Sequence, residues 1–161
     1  MLVYKIAHKN YAHTLTASGI SGRWASSGKM VIYAAESTPL AFLENMVRRQ
    51  GVGFNDDFKT VIIEIPDDLE VEFISVKDLT VGWRNFKIYT FCQQLGDRWY
   101  NAMKKPVLKV PSAILLEYSN YVINTLHAGF SKIKIATFIA FLNKANIWIA
   151  FSIPRHLQNK G

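Results

Sequence analysis

Cysteine is almost missing from this chain: Cys92 stands alone. A single thiol excludes an internal disulfide framework and cannot build a zinc site by itself. Lying between Phe91 and Gln93, it reads as a small core residue and not as a nucleophile. The four histidines, His8, His13, His127 and His156, share no metal-ligand spacing, so no metal centre is expected. Long apolar runs are lacking too. The best candidate, residues 137–151, falls short of the roughly 20 residues that a transmembrane helix needs, and Asn143, Lys144 and Asn146 break it. A core or interface element fits it better. The opening MLVYKIAHKN carries charge at once, unlike a secretory leader, and a cytoplasmic protein is expected. Repeats, low-complexity segments and linkers are absent, and Lys and Arg adjoin only in the pairs Arg48-Arg49 and Lys104-Lys105.

What is present suits one domain over residues 1–161, long enough to bury a core. Half the residues are apolar and 13% are aromatic, which excludes a disordered chain. The formal net charge of +7 favours anionic partners without choosing among nucleic acid, lipid and phosphorylated small molecules. Its even spread reads as a solvated surface.

The chain is organised around residues 19–49. A glycine-flanked turn presents Arg23, and a β-type run from Met30 to Ala35 carries Tyr33. A helix follows. Ser37 or Thr38 can cap it, Pro39 suits its first position, and Gly51 can end it. Leu40, Leu43 and Val47 recur at helical spacing, and Phe42 and Met46 widen the apolar face. Glu44 falls at the edge of that face beside Leu40, a costly place for a carboxylate unless something uses it. The bland alternative is an i,i+4 pair with Arg48, worth a few tenths of a kcal/mol.

Elsewhere Leu2–Ala7, Thr60–Ile65, Val71–Val76, Pro106–Val110 and Lys132–Ala136 read as strands, with Ile133 and Ile135 facing inward in the last. The second and third of these either form a hairpin or lie on neighbouring strands. Tyr89–Ala102 reads as helical in parts, interrupted at Gly96. Ala113–Tyr118 reads as a buried run and Ser119–Phe130 as loop. Strands outnumber helices, so the expected class is α+β, a mostly antiparallel sheet with inserted helices.

Four blocks of the chain resemble, in order, those of the RES domain family. They are Gly22-Arg23-Trp24 with Gly28 and Val31-Ile32-Tyr33, then Ser37 to Glu44, then Gly96-Asp97-Arg98-Trp99 with Leu108 to Ala113, and Glu117 to Asn124 with His127 and Phe130. The resemblance covers roughly residues 3–135, and the order Arg23, Tyr33, Glu44, Ser112 follows the family's. Thr125 stands where the family usually has proline. The ending Phe151 to Leu157 is a distorted echo of the family's, without its acidic residue and displaced by the apolar segment.

The resemblance implies an ADP-ribosyltransferase-like fold and a bacterial toxin that consumes NAD as substrate, with no prosthetic group. It also implies an Xre-type helix-turn-helix antitoxin as partner in a multi-subunit complex, with no nucleic-acid binding by the toxin itself. NAD carries a pyrophosphate dianion and a cationic nicotinamide, and breaking the nicotinamide–ribose bond builds oxocarbenium character on the ribose. Arg23 suits the phosphates, Tyr33 suits stacking on the nicotinamide ring, and Glu44 suits a ribose hydroxyl and the developing positive charge. Ser112 is expected to hold Arg23 or the substrate through its hydroxyl. No His–Asp pair is placed to make it a nucleophile. Asn120, Asn124 and His127 are further NAD-binding candidates. The bond cleavage passes ADP-ribose to water or phosphate, or, in a close variant, to a protein. Two other classes stand against the enzyme: a basic nucleic-acid-binding module without chemistry, and a decayed toxin that folds but does not turn over NAD.

Overall fold

The computed structural model describes residues 1–50 and 56–140. Its centre is one seven-stranded sheet. The strands are β1 (Leu2–His8), β2 (Val31–Ala35), β3 (Phe58–Glu64), β4 (Val71–Phe73), β5 (Val107–Pro111), β6 (Ser119–Asn124) and β7 (Lys134–Ala140), in the spatial order β4-β5-β6-β2-β1-β3-β7. Every pairing is antiparallel except β4 with β5. With two α-helices inserted, α1 (Thr38–Arg48) and α2 (Tyr89–Ala102), the class is α+β as expected. β1 and β2 meet through the single pair Tyr4–Ala35, whereas β2 and β6 are in register along their length from Val31–Asn124 to Ala35–Asn120.

Alternation along the strands separates two apolar faces. On one, Val3, Ile32, Ala34, Val61, Ile63, Val107, Tyr121 and Ile123 are buried with Ala12 and Ile133. Both helices cover the other. α2 brings Cys92, Trp99 and Tyr100 onto Val31, Leu108, Val110 and Val122, and α1 brings Leu40 and Ala41 onto Ile6 and Ala35. The candidate site lies on this second face, over the central strands β2 and β6.

α1 begins as its sequence demands. Ser37 is extended, and its hydroxyl accepts the Leu40 N–H at 3.4 Å. Ser37, not Thr38, is therefore the cap, and Pro39 takes the second helical position, where its missing N–H still costs nothing. The helix stops at Arg48, and the left-handed residue after it is Gln50, at φ 54°. The glycine stop expected at Gly51 lies outside the described residues.

Several expectations are corrected. The runs now seen as β3 and β4 form no hairpin and are not neighbours: β4 is one edge of the sheet, and β3 lies beside the opposite edge. β4 is short, because Ser75 and Asp78 close a hydrogen-bonded turn immediately after it. Ala113–Tyr118 is a half-exposed turn and not a buried run, since Ser112 N–H bonds the Tyr118 carbonyl and Tyr118 N–H that of Leu115. Ser119–Asn124, read as loop for its polar residues, is the interior strand β6. β7 starts two residues later than expected. Ile133 is buried just ahead of it, Ile135 packs on the core, and the rest is a largely exposed edge that takes in residues 137–140 of the apolar tail. Residues 141–161, with the unusual ending, lie outside the described residues.

Gly96 does not interrupt α2, which runs through it unbroken. Glycine costs a helix about 1 kcal/mol relative to alanine, and here packing requires it. A Cβ at Gly96 would sit 1.8 Å from the Trp24 carbonyl oxygen. Gly96→Ala is therefore expected to push α2 off the Trp24 backbone and to destabilise the chain by about 3 kcal/mol or more. Urea unfolding measures this, and a loss under about 1 kcal/mol, the size of a propensity effect alone, would contradict it.

Candidate functional site

The candidate site on the helix-covered face draws on three segments: α1, the end of β5 with the start of β6, and the turn at Gly22–Ala25. α1 supplies Glu44. Its carboxylate is half-buried and bonded through Oε1, which accepts Ser112 Oγ–H at 2.8 Å and Asn120 Nδ2–H at 2.6 Å. The anticipated alternative of a simple pair with Arg48 does not describe this carboxylate. Its donors come from the chain just after β5 and from β6. Ser112 is fully buried, and its Oγ also accepts the N–H groups of Ile114 and Leu115, both at 3.1 Å. Ser112 thus serves Glu44 and not Arg23.

Arg23 sits on a turn closed by the Gly22–Ala25 bridge. α2 holds that turn in three places. Gln93 Nε2–H bonds the Gly22 carbonyl at 2.9 Å, Asp97 accepts both the N–H and the hydroxyl of Ser26, and Gly96 admits the Trp24 carbonyl. The guanidinium lies 4.3 Å from the centre of the Tyr89 ring and 5.7 Å from that of Trp83. Nη1 and Nη2 donate to the carbonyls of Trp83 at 2.6 Å and Arg84 at 2.8 Å. Arg23 is therefore a fixed cation that ties the turn to the chain ahead of α2, and only its remaining donors are available to a ligand.

Tyr33 joins the two halves. On β2 it points to the same face as Ala35, the register partner of Asn120, two residues and about 7 Å along the strand from the Glu44 contact. Its hydroxyl accepts the Trp24 N–H at 3.3 Å. Gly22 lies so close that a Cβ there would meet that hydroxyl at 2.7 Å. Arg23 is thus flanked by two residues that clasp Tyr33. Burial holds the Tyr33 hydroxyl well above the ordinary tyrosine range, opposed first by the Trp24 N–H bond and then by the charge of Arg48, so it is a neutral ring and not a base.

Glu44, Ser112 and Asn120 form one hydrogen-bonded group, Tyr33 lies beside it on β2 and meets the Arg23 turn through its hydroxyl, and Asn124 and His127 join neither. Asn124 pairs with Val31 at the far end of β6, about 13 Å from Asn120. It is fully buried, donates to the Tyr100 carbonyl at 3.4 Å and accepts the Leu126 N–H at 3.0 Å. His127 Nδ1 accepts the Gly129 N–H at 2.9 Å and caps a short 3-10 turn. His127 satisfies local backbone, and Asn124 joins its own turn to the backbone of α2. Cys92 is buried as expected, and burial raises its thiol, so it is no nucleophile. No cluster of metal-ligating side chains occurs among the described residues, and no helix among them is long and apolar enough to cross a membrane.

Sequence reasoning missed Gln93, Asp97, Tyr89, Trp83 and Arg84 as supports of the site. Asp97 fell inside a family-like block but was assigned no role. The others form their bonds across sequence separations of about 30 to 70 residues, where no local pattern signals them.

A family model described as RES domain matches residues 2–144. A protein of Yersinia enterocolitica named Toxin Res is 30% identical over 134 residues, covering 81% of this chain and 88% of the relative. The Prs ADP-ribosylating toxin of a Sphingobium species is 33% identical over 115 residues, covering 70% of this chain and 71% of the relative. Among solved structures, a chain of the M. tuberculosis MbcT–MbcA toxin–antitoxin complex superposes with a TM-score of 0.71 at 16% identity, over 92% of this chain and 87% of that one. That likeness shows the fold.

Two outcomes follow from the geometry. Asn124→Ala is expected to cost about 1–3 kcal/mol in stability by stripping buried backbone groups of their partner, while ligand affinity of the folded protein stays within about twofold. Urea unfolding together with calorimetric titration checks both. For Tyr33, the raised folded-state pKa means that the neutral hydroxyl's contribution to stability is complete below the unfolded value of about 10 and is lost as pH climbs above it. Stability should therefore fall more steeply between about pH 9 and 11 in the wild type than in Tyr33→Phe. The opposite effect of Lys5, whose pKa burial lowers, is common to both proteins and cancels in their difference.

Proposed function

This chain belongs to the RES domain family, and on that premise we propose that it is the toxin of a toxin–antitoxin pair and that it destroys NAD by cleaving the nicotinamide–ribose bond. The observation that carries the reading is Glu44 with both of its donors on Oε1. Ser112 and Asn120 hold one oxygen, so the carboxylate cannot rotate freely, and Oε2 is the atom we assign to the ribose. An anion fixed in place before substrate arrives stabilises positive charge at the anomeric carbon without reorganising during the reaction.

The remaining residues take complementary parts in this reading. The remaining donors of Arg23 bind the pyrophosphate, held in place by Trp83, Arg84 and the Tyr89 ring. Tyr33, kept neutral, offers its ring to the nicotinamide. Ser112 positions Glu44 and attacks nothing. Water or phosphate takes the ADP-ribose, in the cytoplasm, and growth arrests as NAD falls. The antitoxin, of Xre-type helix-turn-helix class, restrains the enzyme by covering the cleft. The name of the MbcT–MbcA complex supports a toxin–antitoxin assembly. A second reading, transfer of ADP-ribose to a protein, draws support from the 33% identity to a relative named as an ADP-ribosylating toxin.

The experiment is release of nicotinamide by the antitoxin-free chain, with water, phosphate or cell extract as acceptor. Glu44→Gln is the sharpest variant, since its amide oxygen keeps both donors satisfied while the charge is lost. We expect it to fold normally and to lose at least about 100-fold in turnover, and Arg23→Ala to lose turnover as well. Free ADP-ribose identifies water as acceptor, its 1-phosphate identifies phosphate, and labelled protein identifies the second reading. A folded wild-type chain that releases no nicotinamide under any of these conditions overturns the proposal.

A further inference from the structure

We propose that Arg84 is a positioning residue that sets the direction of the Ser112 hydroxyl and through it the aim of Glu44; the functional half of this rests on the reading of the cleft as an NAD site. Arg84 is exposed, and an exposed arginine commonly spends its charge on water or a surface carboxylate. This one donates to two consecutive backbone carbonyls, from Nε to Ala113 at 2.7 Å and from Nη2 to Ile114 at 3.3 Å. A planar fork on adjacent carbonyls fixes the orientation of the peptides that carry them.

Those peptides also carry the N–H groups that matter. The Ile114 and Leu115 N–H groups both donate to Ser112 Oγ. A hydroxyl has two lone pairs and one hydrogen. With both lone pairs taken by backbone donors, the hydrogen has one role left, donation to Glu44 Oε1 at 2.8 Å. Arg84 thus makes Ser112 an obligate donor. The loop from Ser112 to Tyr118 closes on itself through Ser112 N–H to Tyr118 and Tyr118 N–H to Leu115, and Ala113 and Leu115 pack on the apolar clusters, while the guanidinium ties its 113 and 114 carbonyls to the segment that carries Trp83 and Arg84. The other side of that tie is Arg23, which bonds the carbonyls of Trp83 and of Arg84 itself. A continuous path therefore joins Arg23 to Glu44, running through Arg84, the 113–114 peptides and Ser112.

The test compares the wild type with Arg84→Ala, Arg84→Lys, Ser112→Ala and the Arg84→Ala/Ser112→Ala double variant. Three quantities are read: nicotinamide release, amide hydrogen exchange at Ile114 and Leu115 by NMR, and the urea midpoint as a check on folding. Arg84→Ala is expected to lower kcat about 10-fold with KM within about threefold, because it loosens a group that acts on the transition state. Arg84→Lys, which keeps one donor, should recover part of that loss. In the Ser112→Ala background the same substitution should cost less than about twofold, since both changes act through one bond. Exchange at Ile114 and Leu115 should quicken about 10-fold in Arg84→Ala. Multiplicative losses in the double variant, or exchange unchanged in Arg84→Ala, would overturn the proposal. A wild-type chain without NAD turnover would overturn the functional reading instead, and exchange alone would then decide whether Arg84 positions the loop. Should Arg84→Ala fail to fold, Arg84→Gln is put through the same readouts.

Discussion

A half-buried carboxylate with two donors on one oxygen holds the functional face of this molecule together. Leaving Glu44 partly out of water would be costly without compensation. The hydroxyl of Ser112 and the amide of Asn120 supply it, and hydrogen bonds to a charged group are worth about 1.5–3 kcal/mol each. The two donors come from either side of the turn between β5 and β6, so a single side chain of α1 fastens the helix to that turn. Apolar contact alone, Leu40 and Ala41 on Ile6 and Ala35, would seat α1 on the sheet without fixing which way its polar edge faces. The bonds of Glu44 add that specificity, and the cleft takes its shape from it.

The Arg23 turn depends on a different kind of constraint, the approach of two backbones. α2 comes close enough to the Trp24 carbonyl that only glycine fits at position 96, and Gln93 and Asp97, one turn of helix apart, reach the backbone on either side of Arg23. Arg23 is thereby held near the Tyr89 and Trp83 rings, and among the described residues no carboxylate forms an ion pair with it. In the function proposed above, this cation and the Glu44 anion, each immobilised by bonds to neutral groups, meet a ligand that carries both charges. β2 and β6 form the floor between them, and Tyr33 on β2 meets the Arg23 turn through its hydroxyl.

Much of this was legible in the chain. Ser37 and Pro39 announced the start of α1, but the expected apolar face holds only in part: Leu40 is buried, Leu43, Phe42 and Met46 are half-buried, Val47 is exposed, and Ala41 is buried in its place, with Glu44 near that side and hydrogen-bonded. The misreadings share a cause. Gly96 was taken as a break because a glycine lowers helix propensity, and propensity knows nothing of the backbone packed against it. Ser119–Asn124 was taken as loop because its asparagines are polar, yet each of them has a specific partner across the fold, Glu44 for Asn120 and the backbone near Tyr100 and Leu126 for Asn124. Ala113–Tyr118 was taken as buried because it is apolar, while its backbone closes a turn that leaves part of it in solvent.

The residue order by itself determined the α+β class, the capped helix that bears Glu44, the set of residues from Arg23 to Ser112 that resemble a family, and the exclusion of disulfide chemistry. Those depend on local spacing and composition, which neighbouring residues carry between them. Only the tertiary structure decided that β3 and β4 lie toward opposite edges of the sheet, that Ser112 serves Glu44 and not Arg23, and that Asn120 bonds Glu44 while Asn124 and His127 bond backbone elsewhere. These turn on contacts between residues far apart in the chain, 68 positions for Ser112 with Glu44 and 76 for Asn120 with Glu44. Such contacts exist only once the sheet has set its register, and no local pattern encodes which distant side chain will arrive opposite.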